Sequence, residues 1–127
     1  MAEAEAIPEP SKTYSLQLAL FLPSVNRHSQ PIDQDGWLAA TLELLGRLFG
    51  GATAFPRGRG VWRDDLQGGL LIYDDPIVVH CYTSPELLEK HLSEVVSHLV
   101  RWGHETKQGA VAYAIAGTYL EISMGAP

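Results

Sequence analysis

Three of the six arginines fall within seven residues, at Arg57, Arg59 and Arg63. If this segment is extended, side chains at these odd-numbered positions share one face and can together bind a carboxylate or a phosphate. The competing interpretation, which we favour, is a set of solvated ion pairs, because most surface charge clusters are of that kind. The nearby partners for such pairs are Asp64, Asp65, Asp74 and Asp75.

The glycines around these arginines, in FGGATAFPRGRGVW from Phe49 to Trp62, invite comparison with a phosphate-binding loop. Such a loop runs from a strand into a helix, whose first amides point at the anion. Here the order is reversed, because the glycines follow a helical pattern and precede a strand pattern. We therefore expect Gly58 and Gly60 to accommodate a bend after Pro56.

A second candidate group lies in the apolar run IVVHCYT. Neighbouring residues of a strand point to opposite faces, so His80 and Cys81 cannot act on each other as a base and a thiol. Cys81 is expected to be a small buried residue. His80 and Tyr82 share the other face, and we include both among the candidate contacts of a small anionic ligand.

Histidines and a carboxylate also recur on one flank of a predicted helix, as His91, Glu94 and His98. The two histidines are separated by about 10 Å along the axis, at about 1.5 Å per residue, which is too far for one metal ion. We expect a solvated flank and no metal. Since no Ser-His-Asp order, paired-carboxylate signature or dinucleotide fingerprint stands out, we predict no catalytic residue and no cofactor.

Composition limits the classes of protein to consider. The chain has 127 residues, 46% of them hydrophobic and 19% charged, as expected for a single soluble domain. No apolar run approaches the roughly 20 residues of a membrane span, and the net charge of -6 opposes nucleic-acid binding. A single cysteine and the absence of a secretory signal pattern predict a cytoplasmic location.

Periodicity predicts the elements that position these residues. Residues 1–12 are interpreted as a flexible tail, and residues 13–127 as one domain. Alternation predicts a strand over 14–22, followed by a helix that Asp33 or Asp35 caps and that Gly50 ends. Segments 52–63 and 69–83 then form a predicted hairpin. Ser84 begins a second helix that Gly103 ends, and a last strand occupies 110–122.

The resulting order, β-α-β-β-α-β, predicts a ferredoxin-like α+β fold with a four-stranded antiparallel sheet and two helices on one face. The other face, which includes Gln17, Ala19 and Phe21, is left uncovered. Trp62 is expected to anchor the hairpin, and we group it with these interface candidates. An uncovered apolar face of this kind favours a homodimer.

The motif FGG-x-T followed by G-x-W resembles a pattern in small, mostly uncharacterised bacterial α+β proteins. Its residues are Phe49, Gly50, Gly51, Thr53, Gly60 and Trp62. The resemblance implies the fold class and assigns no catalytic residue. The layout is also similar to that of dimeric ferredoxin-like α/β barrels, which include enzymes and sensors.

From these observations we predict a non-catalytic, homodimeric binding or regulatory subunit that acts through protein-protein contacts, with a possible unidentified protein partner. The alternative is a small dimeric α/β-barrel enzyme or sensor. In that case the sheet face forms a cleft, and Arg57, Arg59, His80 or Tyr82 contacts a small anionic ligand.

Overall fold

A computed structural model describes residues 5–55 and 57–127 of the chain. Residues 1–4 of the predicted tail, and Pro56 at the predicted bend, lie outside the described residues. Residues 5–12 form no helix or strand and are exposed. Within the described ranges, neither helix has the length and apolar character required to cross a membrane.

Strands and helices follow one another in an order that extends the predicted one. They are β1 (Leu16–Leu22), α1 (Gln34–Phe49), β2 (Thr53–Phe55), β3 (Gly60–Asp64), β4 (Leu70–Asp74), β5 (Ile77–Thr83), α2 (Pro85–Glu105), β6 (Ala110–Ile115) and β7 (Thr118–Ser123). A short 3₁₀ turn, Asp65–Gln67, joins β3 to β4 where turn residues were predicted.

The prediction of a four-stranded ferredoxin-like sheet is wrong. Five strands form one antiparallel sheet in the order β2-β5-β1-β6-β7, and β3 and β4 form a separate two-stranded sheet. Each arm of the predicted hairpin is divided in two, the second of them at Asp75 and Pro76, because proline cannot donate to a strand ladder. The last apolar run folds back on itself as β6 and β7.

The helix ends confirm most of the capping predictions. The Asp33 carboxylate and the Ser84 hydroxyl each accept a hydrogen bond from a backbone amide in the first turn of their helices. Gly50 ends α1 with a left-handed φ of 91°, a conformation that costs glycine little. Helix α2 continues two residues beyond Gly103, to Glu105.

Both helices pack on one face of the main sheet, and the alternation of β1 and β5 supplies that core. The buried cluster contains Leu18, Leu20 and Leu22 from β1, Ile77, Val79 and Cys81 from β5, and Trp37, Leu45, Val95 and Leu99 from the helices. Burial of Cys81 is as predicted, and it raises the pKa of that thiol to about 11. Among residues 5–55 and 57–127, no helix lies on the opposite face of the sheet.

A two-residue turn between β6 and β7 escaped the sequence prediction. Ala116 and Gly117 connect the paired residues Ile115 and Thr118, and their φ angles are 50° and 85°. Two positive φ angles in a two-residue hairpin loop are typical of a type I′ turn, in which asparagine followed by glycine is preferred. Alanine gives no such signal, so the strand pattern appeared continuous.

Replacing Ala116 with asparagine should therefore stabilise the protein by about 1 kcal/mol, because asparagine tolerates the left-handed conformation better than alanine. Urea denaturation followed by circular dichroism measures the change. Ala126→Asn, in the exposed C-terminal segment, provides the control and should leave the free energy of unfolding unchanged. A destabilised Ala116→Asn variant would contradict the assignment of this turn.

Candidate functional site

The β3–β4 hairpin lies against the sheet face that the helices leave open. A cavity of about 200 Å³ separates the two, with walls from β1, β6 and β7 on one side and from the hairpin on the other. Trp62 packs so closely over Gly109 that a methyl group on Gly109 would clash with Cη2 of its ring. Gly109 admits the ring by lacking a side chain, and the role of Trp62 as the anchor of the hairpin stays a prediction.

Three aromatic side chains contribute to the apolar part of the cavity wall. Phe21 of β1 and Tyr119 of β7 lie side by side, with ring centroids 6.0 Å apart, and Trp62 lies on the hairpin side. Such a wall suits a flat, partly apolar group, and the faces of these rings also attract cations.

Two carboxylates give this wall a negative character. Glu121 accepts a 2.8 Å hydrogen bond from the Tyr119 hydroxyl, and Asp74 lies so close to Gly60 that a methyl group there would approach Oδ1 to 2.9 Å. The pKa of Asp74 is raised, mainly by partial burial. A hydrogen bond with the Ser24 backbone lowers this pKa, and the charge of Asp75 raises it. Partial burial and Glu121 together raise the pKa of Tyr119 to about 12.

A buried ion pair holds the hairpin in place. Arg27, in the loop after β1, is 5% exposed and Asp64, at the end of β3, is 1% exposed, and Nη2 of the arginine lies 2.9 Å from Oδ2 of the aspartate. Arg27 also donates to the Gly125 carbonyl, and Gln67 donates to both Asp64 and the Arg27 carbonyl. Because its charge is paired in this way, Arg27 does not cancel the two cavity carboxylates.

The pKa of Asp64 reflects this network. Burial alone would raise it, but hydrogen bonds from Gln67, Arg27 and the Leu66 amide, with the arginine charge, lower the pKa overall. Asp64 is therefore ionised in the folded protein, and its position joins the hairpin turn to a loop 37 residues away.

A second, more open groove of about 580 Å³ adjoins the cavity. The two share part of their walls, at Val25, Gly60, Val61 and Asp74. The groove adds Ser24, Arg59, Tyr73 and Asp75. Asp74 thus lies on the wall common to both spaces.

The structure separates the three predicted anion-binding arginines. Arg57 donates to Gln34 and forms an ion pair with Asp35 at 2.8 Å, while Arg63 pairs with Asp65 at 2.6 Å. Arg59 forms no ion pair within the described residues and lines the open groove. Only one of the three is thus placed next to the cavity.

His80 and Tyr82 lie at the far end of the open sheet face from the hairpin. The His80 ring accepts a 2.7 Å hydrogen bond from Gln17, and Tyr82 is exposed. Both line a separate depression of about 450 Å³, together with Phe55 and Lys12. They are thus not brought together with the arginines, and their role as ligand contacts stays a prediction.

The candidate interface residues share the open face but differ in exposure. Ala19 is buried, Phe21 and Trp62 are half-buried beside the cavity, and Gln17 is exposed. The premise that this face is bare was too simple, because the β3–β4 hairpin of the same chain covers part of it. A homodimer through the rest of the face stays a prediction.

His98 departs from the expected solvated flank. It is 4% exposed and lies between the helices, with Nε2 2.8 Å from the Thr41 hydroxyl. Burial, and then the charge of Arg101, lower its pKa to about 4. His91 instead lies edge-on to Phe49.

Comparison with known proteins identifies a fold. No protein-family model and no curated protein sequence matches the chain. A solved phage SAM lyase in complex with S-methyl-5′-thioadenosine superposes with a TM-score of 0.67 at 17% identity, covering 93% of this chain and 96% of that chain. The apo state of a phage SAM lyase gives 0.64 at 17% identity and the same coverage. This chain has the phage SAM lyase fold.

That finding corrects two predictions. The similar solved structures are not four-stranded ferredoxin-like proteins, and they are enzymes, so the prediction of a non-catalytic interaction subunit is contradicted. The alternative, a small enzyme with a ligand site on the sheet face, agrees better with these neighbours.

Sequence reasoning missed the two carboxylates of the cavity. Asp74 was considered as an ion-pair partner of the arginines, and Glu121 was not considered as a site residue. The available signal was the Asp74-Asp75-Pro76 run, since two adjacent acids at a strand break are seldom required by packing.

Proposed function

We propose that this chain is a lyase that acts on a sulfonium nucleoside of the S-adenosylmethionine (SAM) type. The observation that carries the proposal is the cavity between hairpin and sheet, which combines aromatic walls with Asp74 and Glu121. The phage SAM lyase fold supports it, because a solved member holds a thioether nucleoside. We place the nucleoside in the cavity and the sulfonium beside Asp74.

The chemistry of the substrate fits this wall. A sulfonium carries a full positive charge, which carboxylates and aromatic faces attract. Adenine is flat and partly apolar, and it can pack against Trp62, Phe21 or Tyr119. The cavity alone is smaller than a typical ligand pocket, so the substrate extends past Asp74 into the adjoining groove.

Breaking the carbon–sulfur bond transfers its electron pair to sulfur and releases a neutral thioether. Attraction between Asp74 and the sulfonium weakens as this charge disappears, so it favours binding and does not by itself accelerate the step. We therefore assign Asp74 a second role, as the base that accepts a proton from the carbon next to the one leaving sulfur in the amino-acid chain. The C–H electron pair then becomes the carbon–carbon double bond of the amino-acid fragment as the carbon–sulfur bond breaks. Its raised pKa improves its strength as a base.

The test is to incubate the purified chain with SAM and to measure release of S-methyl-5′-thioadenosine by mass spectrometry. Heat-denatured protein sets the background. Asp74→Asn should reduce turnover about 100-fold, because asparagine has the same shape but neither charge nor basicity. Asp65→Asn, on the exposed hairpin turn, is the matched control and should retain activity.

Three results would contradict the proposal. Release of the thioether no faster than in the heat-denatured sample would exclude lyase activity on SAM. Equal activity in Asp74→Asn and wild-type protein would show that Asp74 is not the base. Binding without turnover would indicate a sensor of the same ligand and would also exclude the lyase.

A further inference from the structure

We infer that the open groove binds the amino-acid end of the substrate, with Arg59 holding its carboxylate and Asp75 its ammonium group. The inference rests on the proposed function and specifies which half of the substrate each space takes. It makes Arg59 a specificity-determining residue, because it distinguishes ligands with an amino-acid tail from those without one.

The first support is the position of the groove. Its wall is continuous with that of the cavity through Gly60, Val61 and Asp74. A ligand whose nucleoside lies in the cavity and whose sulfonium lies at Asp74 therefore directs its remaining substituent toward the groove. This order, nucleoside, sulfonium and amino acid, matches the order of groups in SAM.

The second support is the availability of Arg59. The two neighbouring arginines are already engaged, Arg57 with Asp35 and Arg63 with Asp65. Arg59 is exposed and makes no ion pair within residues 5–55 and 57–127. A guanidinium binds a carboxylate through two parallel hydrogen bonds, which gives direction as well as attraction.

The third support is the charge pattern of the groove. A simple anion would be repelled by the Asp74 and Asp75 carboxylates, which line the groove opposite in sign to Arg59. A zwitterionic amino-acid group can pair its carboxylate with Arg59 and its ammonium group with Asp75. The Asp75 amide donates a 2.8 Å hydrogen bond to the Ser24 hydroxyl, which fixes the backbone of this carboxylate to the loop after β1.

A pair of unreactive ligands tests the inference. S-methyl-5′-thioadenosine has the nucleoside without the amino acid, whereas S-adenosylhomocysteine has both. Isothermal titration calorimetry of Arg59→Gln should show about tenfold or greater loss of affinity for S-adenosylhomocysteine, with affinity for the thioadenosine unchanged. Asp75→Asn should show the same selectivity. Arg63→Gln is the matched control and should affect neither ligand.

The outcomes separate the two proposals. If wild-type protein binds both ligands and Arg59→Gln weakens both equally, or neither, the inference is overturned while the nucleoside site stands. If wild-type protein binds neither ligand, the proposed function and the inference both fall. Since Arg59 is exposed, its replacement should leave the circular dichroism spectrum and the unfolding midpoint unchanged, and these measurements verify folding.

Discussion

Asp64→Asn is expected to cost about 3–5 kcal/mol of unfolding free energy, because it leaves the Arg27 guanidinium buried without its anionic partner. This loss is a large part of the total stability of a domain of this size. Asparagine has nearly the same volume as aspartate, so packing changes little and the effect reports on charge. Urea denaturation at neutral pH, followed by tryptophan fluorescence and circular dichroism, measures it.

Asp65→Asn supplies the comparison, since Asp65 is the next residue and pairs with Arg63 at the surface. Solvent screens an exposed pair of this kind, so the control should lose little stability. A loss below about 1 kcal/mol in Asp64→Asn would show that water already compensates Arg27, and the structural role assigned to the pair would be wrong.

The double variant Arg27→Leu with Asp64→Leu refines the interpretation. Replacing both charges with apolar groups removes the uncompensated guanidinium, so this variant should be more stable than Asp64→Asn alone. Its ligand affinity need not recover, because the pair also fixes the hairpin that carries Trp62 and Gly60 over the sheet. Affinity for S-methyl-5′-thioadenosine measures that second effect.

The sequence was sufficient to predict those elements and helix ends that depend on residues close together in the chain. Alternating leucines predicted β1, and the serine and proline at 84 and 85 predicted the start of α2. Gly50 predicted the end of α1, because a left-handed residue there favours glycine. These features depend on residues only a few positions apart.

The features that the sequence concealed depend on distant partners. The β3–β4 hairpin leaves the main sheet and is held by Arg27 and Asp64, whose separation of 37 residues no local pattern can register. The reversal at Ala116 uses a residue that rarely forms such a turn. Pairing order among strands is a tertiary property, so a correct list of most elements still led to a wrong sheet.

The site was only partly predictable for the same reason. The arginine cluster and Trp62 were visible as unusual residue types, and the structure places Arg59 and Trp62 beside the groove and the cavity. Glu121 became a candidate only when the turn between β6 and β7 placed it on the open face. Asp74 became a candidate only when the structure showed that the β3–β4 hairpin faces the sheet.

His98 provides the second large effect, and its hydrogen bonds define its charge state. The Thr41 hydroxyl donates its single proton to the Trp37 carbonyl at 2.8 Å, so the His98 ring must donate from Nε2 to the Thr41 oxygen. Since Nε2 carries a proton, the ring is neutral when Nδ1 is unprotonated and positively charged when Nδ1 is protonated. Its surroundings are Thr41 on α1, the Trp102 ring at 6.5 Å and the charge of Arg101. None of these favours a second positive charge.

His98 should therefore lower the free energy of unfolding as the pH decreases. The unfolded chain takes up a proton on His98 near its ordinary pKa of about 6.5, whereas burial holds the pKa of the folded protein at about 4. Between these values only the unfolded state gains the proton, so stability falls as the pH decreases from about 6.5 to about 4 and then levels off. The difference corresponds to at most about 3 kcal/mol.

Measuring unfolding free energy from pH 7 to pH 4 in wild-type protein and in His98→Gln isolates this contribution. Glutamine can still donate to Thr41 but does not titrate, so the variant should lose less stability over this window, by at most about 3 kcal/mol. His104→Gln replaces an exposed histidine on the same helix and serves as the control for a histidine-to-glutamine change. Parallel curves for His98→Gln and wild-type protein would show that the buried ring accepts a proton as readily in the folded chain as in the unfolded one.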